Sequence, residues 1–187
     1  MTVLSVRERE SVAIGAAIGA GCRPCTQYHV RAGLKAGLSG EEVRMAVDEA
    51  EVLRIHAATG IADFGRGLLG YPEERAAPLC SPTGTLQALA QVGAATGSNA
   101  GLALDWLLPY ARGLGLSDGA LSEAVEVAGM VKRMAGEFFG KDAERALGVE
   151  TTVAPAAEAG SCVQAPQACA GVSDSREASA AAPTSCC

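Results

Sequence analysis

GCRPCTQYHVRAGLKAGLSGEEVRMAV, residues 21–47, reads as one helix closing and a second opening behind a pair of cysteines. Pro24 stands in a first-turn position, where its missing N–H costs nothing, and Gly37 is a C-terminal stop. Ser39 and Glu42 then form the S-x-x-E pattern of a capping box. Beyond it, Val43, Ala46, Val47, Ala50, Leu53 and Ala57 recur at three- and four-residue steps, which makes one apolar helical stripe. Upstream, RERESVAIGAAIGAG (residues 7–21) begins charged, turns small and apolar, and ends in glycine. That is a third helical segment, placed before the cysteines.

The pattern continues outward. YPEERAAPLCSPTG (residues 71–84) is a connector in which Pro72, Pro78 and Pro82 break helix. TLQALAQVGAATG (85–97), NAGLALDWLLPYARGLG (99–115) and LSDGALSEAVEVAGMVKRMAGEFFG (116–140) read as three more helices. The second is interrupted or kinked at Pro109, and the third is capped by Ser117. No segment reads as a strand, so the expected fold class is all-α. Residues 36–54 can be laid on residues 114–132 without a gap: Gly37-Leu38-Ser39 meets Gly115-Leu116-Ser117, and Arg54 meets Lys132. At that offset of 78, Glu10, Cys22, Cys25 and His29 fall on Ala88, Ala100, Ala103 and Leu107. The expected organisation is therefore a helical domain over residues 1–150. Its reactive motif lies in 8–70, and a degenerate repeat of the same unit covers about 84–145.

Residues 151–187 differ in composition. They are rich in Ala, Ser, Pro and Gly, have no large apolar stripe, and are expected to be disordered. They still carry Cys162, Cys169, Cys186 and Cys187, out of seven cysteines in the chain. The net charge of −6 and the absence of a Lys/Arg run argue against nucleic acid as a partner. No window has the apolar length of a membrane span, and MTVLSVRERE puts charge where a secretory leader needs an apolar core. The expected location is the cytoplasm. In a reducing compartment, seven cysteines point to redox chemistry or thiolate coordination before structural disulfides.

The spacing of the reactive groups carries the chemistry. Cys22 falls near an N-cap, Cys25 one turn on, and His29 four residues beyond Cys25 on the same helix face. A helix N-terminus favours negative charge and so lowers a thiol pKa. His29 can take the proton of Cys25, and two cysteines at this spacing can close a disulfide. Glu10, in otherwise apolar surroundings on the preceding helix, needs a partner and is the candidate that orients the imidazole. Two other readings stand beside this one. Cys22, Cys25 and His29 could hold a metal, though a structural zinc site needs a fourth ligand. The cysteines could also be two small buried residues.

Glu10-x11-Cys22-x2-Cys25-x3-His29, followed by AGLKAGLSGEEVRMAV, resembles the signature of the alkylhydroperoxidase D (AhpD) group within the carboxymuconolactone decarboxylase superfamily. The resemblance covers residues 8 to about 70 well and the second half more weakly. It implies an all-α fold and homo-oligomers, often trimers or hexamers. It also implies a CxxC that cycles between dithiol and disulfide without a cofactor. Carried over by position, Cys25 would be the thiol activated through His29 and Glu10, and Cys22 its disulfide partner nearer the surface. The implied activity is that of a peroxidase or thiol–disulfide oxidoreductase. Its substrate would be a peroxide or a disulfide, and its electrons would come from a dithiol or pass to a peroxiredoxin-type partner. AhpD itself has a histidine where this chain has Pro24, and it carries its motif in the later half of a duplicated chain. Lactone-opening decarboxylases of the superfamily do not rely on this CxxC, so that activity is not expected.

The remaining candidates have plainer readings. His56 reads as a helix-face histidine, Glu49 and Glu51 as solvated or paired surface groups, and Tyr28 as either pocket lining or helix packing. Trp106 and Tyr110 read as core or subunit contacts, and Cys80 as an incidental thiol. The four tail cysteines have two possible uses: a thiol shuttle that exchanges with Cys22, or capture of a soft metal or metalloid such as trivalent arsenic. The second of these is the alternative function for the whole chain.

Overall fold

The computed structural model describes residues 3–71 and 81–148, which lie within one compact unit, Met1–Val149. Six helices make up this part of the chain: α1 (Val6–Gly19), α2 (Arg23–Lys35), α3 (Gly40–Leu68), α4 (Thr85–Gly97), α5 (Gly101–Gly113) and α6 (Asp118–Leu147). Among the described residues there is no strand. The Pro72 and Pro78 connector, Cys80, and the whole of residues 151–187 with their four cysteines lie outside the described residues.

Local sequence accounts for the helix boundaries. The Ser39 capping box is present: Ser39 Oγ accepts from Glu42 N–H at 3.2 Å, and Glu42 Oε2 accepts from Ser39 N–H at 2.9 Å. A second box, not read from the sequence, starts α1, where Ser5 pairs reciprocally with Glu8. Ser117 caps α6 through the N–H of Ala120. Of the two readings at Pro109, the interruption does not occur, since α5 runs through it. Pro109 and Asp105 are both on the exposed side, so the carbonyl of Asp105 that loses its helical donor faces water. α6 also runs seven residues past the Gly140 stop, ending only where Gly148 adopts φ +65°.

The core is centred on α1 against α4. Both are built from small residues, and their backbones meet. A Cβ on Gly15 would collide with the Ala90 carbonyl and one on Gly93 with the Val12 carbonyl; Gly19 and Gly97 meet the Ala94 and Ala16 carbonyls in the same way. These contacts are mutual under the offset of 78: Gly15 maps on Gly93, and Val12 on Ala90. The offset also carries α2 onto α5 residue for residue, and the start of α3 onto the start of α6. Gly37 and Gly115 close their helices with φ of +93° and +94°. Arg54 Nη1 donates to the Ile18 carbonyl at 2.8 Å, and Lys132 Nζ to the Thr96 carbonyl at 3.2 Å. Each of these cations therefore satisfies a last-turn carbonyl of the first helix in its own half. The two halves pack as a pseudo-two-fold pair about the α1–α4 contact.

The stripe on α3 is buried as far as Leu53, and beyond it the helix turns outward. Ile61, Phe64 and Leu68 are exposed, as are Phe139 and Leu147 at the far end of α6. Glu49 is not a solvated group. It accepts from Gln91 Nε2 at 2.6 Å and also from Gln87, tying α3 to α4. Among the described residues, no helix is long and apolar enough to cross a membrane.

Candidate active site

Gly21, at φ +70°, turns the chain out of α1, and Cys22 becomes the N-cap of α2. The Cys22 sulfur accepts from the Cys25 N–H at 3.2 Å, the place a serine or aspartate oxygen takes in other helices. Cys22 and Cys25 are joined as a disulfide, with Cα atoms 5.3 Å apart. The cysteine spacing and the N-cap role together bring the sulfurs within bonding reach.

One turn further along α2, His29 Nδ1 lies 2.9 Å from Glu10 Oε2 on α1. The side chains are 15% and 18% exposed, so the pair is sheltered yet not sealed. With Nδ1 engaged by a carboxylate, the imidazole keeps its proton on that nitrogen and leaves Nε2 as the free acceptor. The approach of α2 to α1 depends on Gly33, one turn past His29. A Cβ there would press on Leu38 and Ile14 and come within 3.7 Å of the Glu10 Cβ. The Tyr28 ring meets the His29 ring edge-on at 5.0 Å while remaining over half exposed, so it flanks the imidazole.

The two sulfurs differ in outlook although both residues are about 95% buried. Two hollows open beside Cys22, and Cys25 lines neither. One, about 530 Å³, is bounded by Ile18, Gly21, Arg23, Gln27 and Arg54. The other, about 430 Å³, lies between the start of α2 and the outer half of α6, with Pro24, Lys132, Phe138 and Phe139 on its walls. A third hollow, about 790 Å³, is the pseudo-two-fold counterpart of the second. Ala100 and Leu102 stand there in place of Cys22 and Pro24, with His56 and Trp106 on its walls. His56 lines neither hollow beside Cys22, and Trp106 also packs on the core. In the second half the reactive positions are apolar: Ala88, Ala103 and Leu107 are buried where Glu10, Cys25 and His29 would be.

Among the described residues, no three His, Cys, Asp or Glu side chains converge as a metal site. The neighbour that sequence reading missed is Arg54. Only its helix position was visible there, whereas its guanidinium lies against Gly21 beside Cys22.

Comparison with known proteins agrees with this geometry. No curated protein and no solved structure matches the chain. A family model, that of the Carboxymuconolactone decarboxylase family, matches residues 2–62, a span that holds Glu10, both cysteines and His29 and stops within α3. Residues 2–62 are accordingly a carboxymuconolactone decarboxylase family domain of the AhpD-like superfamily, with a CxxC pair at disulfide distance in its second helix.

Proposed function

We propose that this protein is a CxxC-dependent thiol oxidoreductase of the AhpD-like peroxidase type, cycling Cys22 and Cys25 between dithiol and disulfide. The observation that carries this reading is the Glu10–His29 pair, held at 2.9 Å between α1 and α2, the helix that bears the cysteines. A part-buried carboxylate and imidazole placed against an alanine-rich core need each other as partners, and a use that suits the pair is proton transfer.

In the proposed cycle, His29 Nε2 takes the proton of Cys25, and Glu10 stabilises the imidazolium through Nδ1. The Cys25 thiolate attacks one oxygen of a peroxide. The O–O bond breaks, an alcohol or water leaves with a proton, and Cys25 becomes a sulfenic acid. Cys22 attacks that sulfur and releases water, which leaves the Cys22–Cys25 disulfide. An external dithiol restores both thiols and is itself oxidised by two electrons. A disulfide substrate is handled by the same thiolate, with the mixed disulfide resolved by Cys22.

The second half is a degenerate copy of the first that kept the helical frame and lost the reactive groups. The exposed apolar residues on the outer ends of α3 and α6 support assembly into a homo-oligomer, a trimer or hexamer, which light scattering on the purified protein would count. The functional reading is tested by Cys25→Ser. Thiol-dependent peroxide consumption should be lost, and a variant that keeps the wild-type rate overturns it.

A further inference from the structure

We propose that the thiol which reduces the Cys22–Cys25 disulfide carries a carboxylate or similar anionic group, recognised by Arg54 together with Arg23. This rests on the redox reading of the pair given above. Since Cys22 faces the hollows and Cys25 does not, a bulky thiol reaches the disulfide at Cys22. The 530 Å³ hollow on that side has Arg23 and Arg54 on its walls and no acidic residue, in a chain whose net charge is −6.

Arg54 is fixed in place. Its Nη1 donates to the Ile18 carbonyl, and its Nη2 sits where a Cβ on residue 21 would be 2.7 Å away, so Gly21 makes room for it. A guanidinium has five N–H donors in a rigid fork, and among the described residues no acidic side chain pairs with Arg54. The second half provides an internal comparison. Lys132, which also borders the 430 Å³ hollow on the other side of Cys22, performs the same capping of a last-turn carbonyl in the second half, so capping alone explains one cation. It does not explain the second: Arg23 maps on Gly101, and the cation pair exists only in the half that has cysteines.

The step is a thiol–disulfide exchange. The substrate thiol gives up its proton to solvent and its thiolate attacks Cys22 Sγ, the Cys22–Cys25 bond breaks, and Cys25 leaves as a thiolate that takes a proton from solvent by way of His29 Nε2. The substrate's second thiol then attacks its own sulfur in the mixed disulfide and frees Cys22. The protein gains two electrons and two protons, and the dithiol becomes a disulfide.

Dihydrolipoate and dihydrolipoamide differ in charge and share the same dithiol. Each is used to reduce oxidised full-length protein, with rates normalised to its rate on a small neutral disulfide. Dihydrolipoate is expected to be preferred about three- to fivefold at low salt. The preference should collapse in wild type at about 0.5 M salt and in Arg54→Gln, and survive in Arg54→Lys, which keeps both charge and cap. Equal normalised rates in wild type, or an unchanged preference in Arg54→Gln, overturn the inference and leave the redox reading standing. If neither dithiol reduces the wild-type disulfide, the redox reading fails and this inference falls with it.

Discussion

Glu10→Gln removes one charge and almost no volume, which isolates the role of the Glu10–His29 contact. In wild type the carboxylate accepts from Nδ1–H at 2.9 Å, so Nε2 is free to take a proton from Cys25. The amide of glutamine can present an N–H to Nδ1 instead, which moves the ring proton to Nε2 and blocks that transfer. Hydrogen bonds to charged groups contribute about 1.5–3 kcal/mol, and the partial shelter of this pair, 15% and 18% exposed, keeps it within that range. If the interaction is made fully only when the imidazole is charged, the loss appears in the rate as roughly a 10- to 150-fold decrease. The assay is rapid-mixing oxidation of the reduced protein by peroxide, followed by alkylation of the thiols that remain. The thiol pKa of Cys25 should rise in the same variant. An unchanged oxidation rate together with an unchanged Cys25 titration would refute the relay, because no other acidic group contacts His29 among the described residues.

Other outcomes concern the frame. Leu107, fully buried at the position equivalent to His29, should cost about 2–5 kcal/mol when changed to alanine, read by urea unfolding; a loss below 1 kcal/mol would argue against its core role. Gly93→Ala sets a methyl against the Val12 carbonyl and should destabilise by about 1–3 kcal/mol, lowering the thermal midpoint by roughly 3–10 °C. A midpoint at or above wild type would mean that α1 and α4 can separate freely. Glu123 accepts from the backbone N–H groups of Leu4 and Val3 and pairs with Arg9, and these contacts hold its carboxyl below the ordinary value of 4.5. A depressed folded-state pKa means the stabilisation is present above 4.5 and is lost as pH falls through the folded value. Glu123→Gln should therefore lose less stability than wild type between pH 7 and pH 3.5, whereas parallel pH curves would show that the clamp does not titrate.

Much of the candidate site's geometry was legible because it is local. Cys22, Cys25 and His29 share a single helix, so spacing alone puts them on one face. Glu10 was reached by asking what a carboxylate does in an apolar stretch. The matching turns of the two halves were legible through Gly37-Leu38-Ser39 and its echo Gly115-Leu116-Ser117, since turn glycines and caps obey local rules. What escaped was tertiary. The capping roles of Arg54 and Lys132 depend on α3 and α6 lying beside the ends of α1 and α4, which periodicity does not reveal. Glu49 looked like a surface charge until α4 brought Gln87 and Gln91 to it. Pro109 looked like a break because local rules count the lost hydrogen bond, but not the exposure that makes its loss tolerable. The outer half of α3 reads as continuous helix, and nothing in its spacing tells that Phe64 and Leu68 stay uncovered within one chain.

The central claim is that Cys22 and Cys25 are a working redox pair with an activated thiol. The most direct test is differential alkylation of the full-length protein with mass mapping, across pH and across a series of thiol/disulfide redox buffers. A reversible Cys22–Cys25 disulfide and one thiol titrating well below the ordinary value of about 8.5 are the predicted result. Two thiols of ordinary pKa that never form that disulfide reversibly would contradict the account.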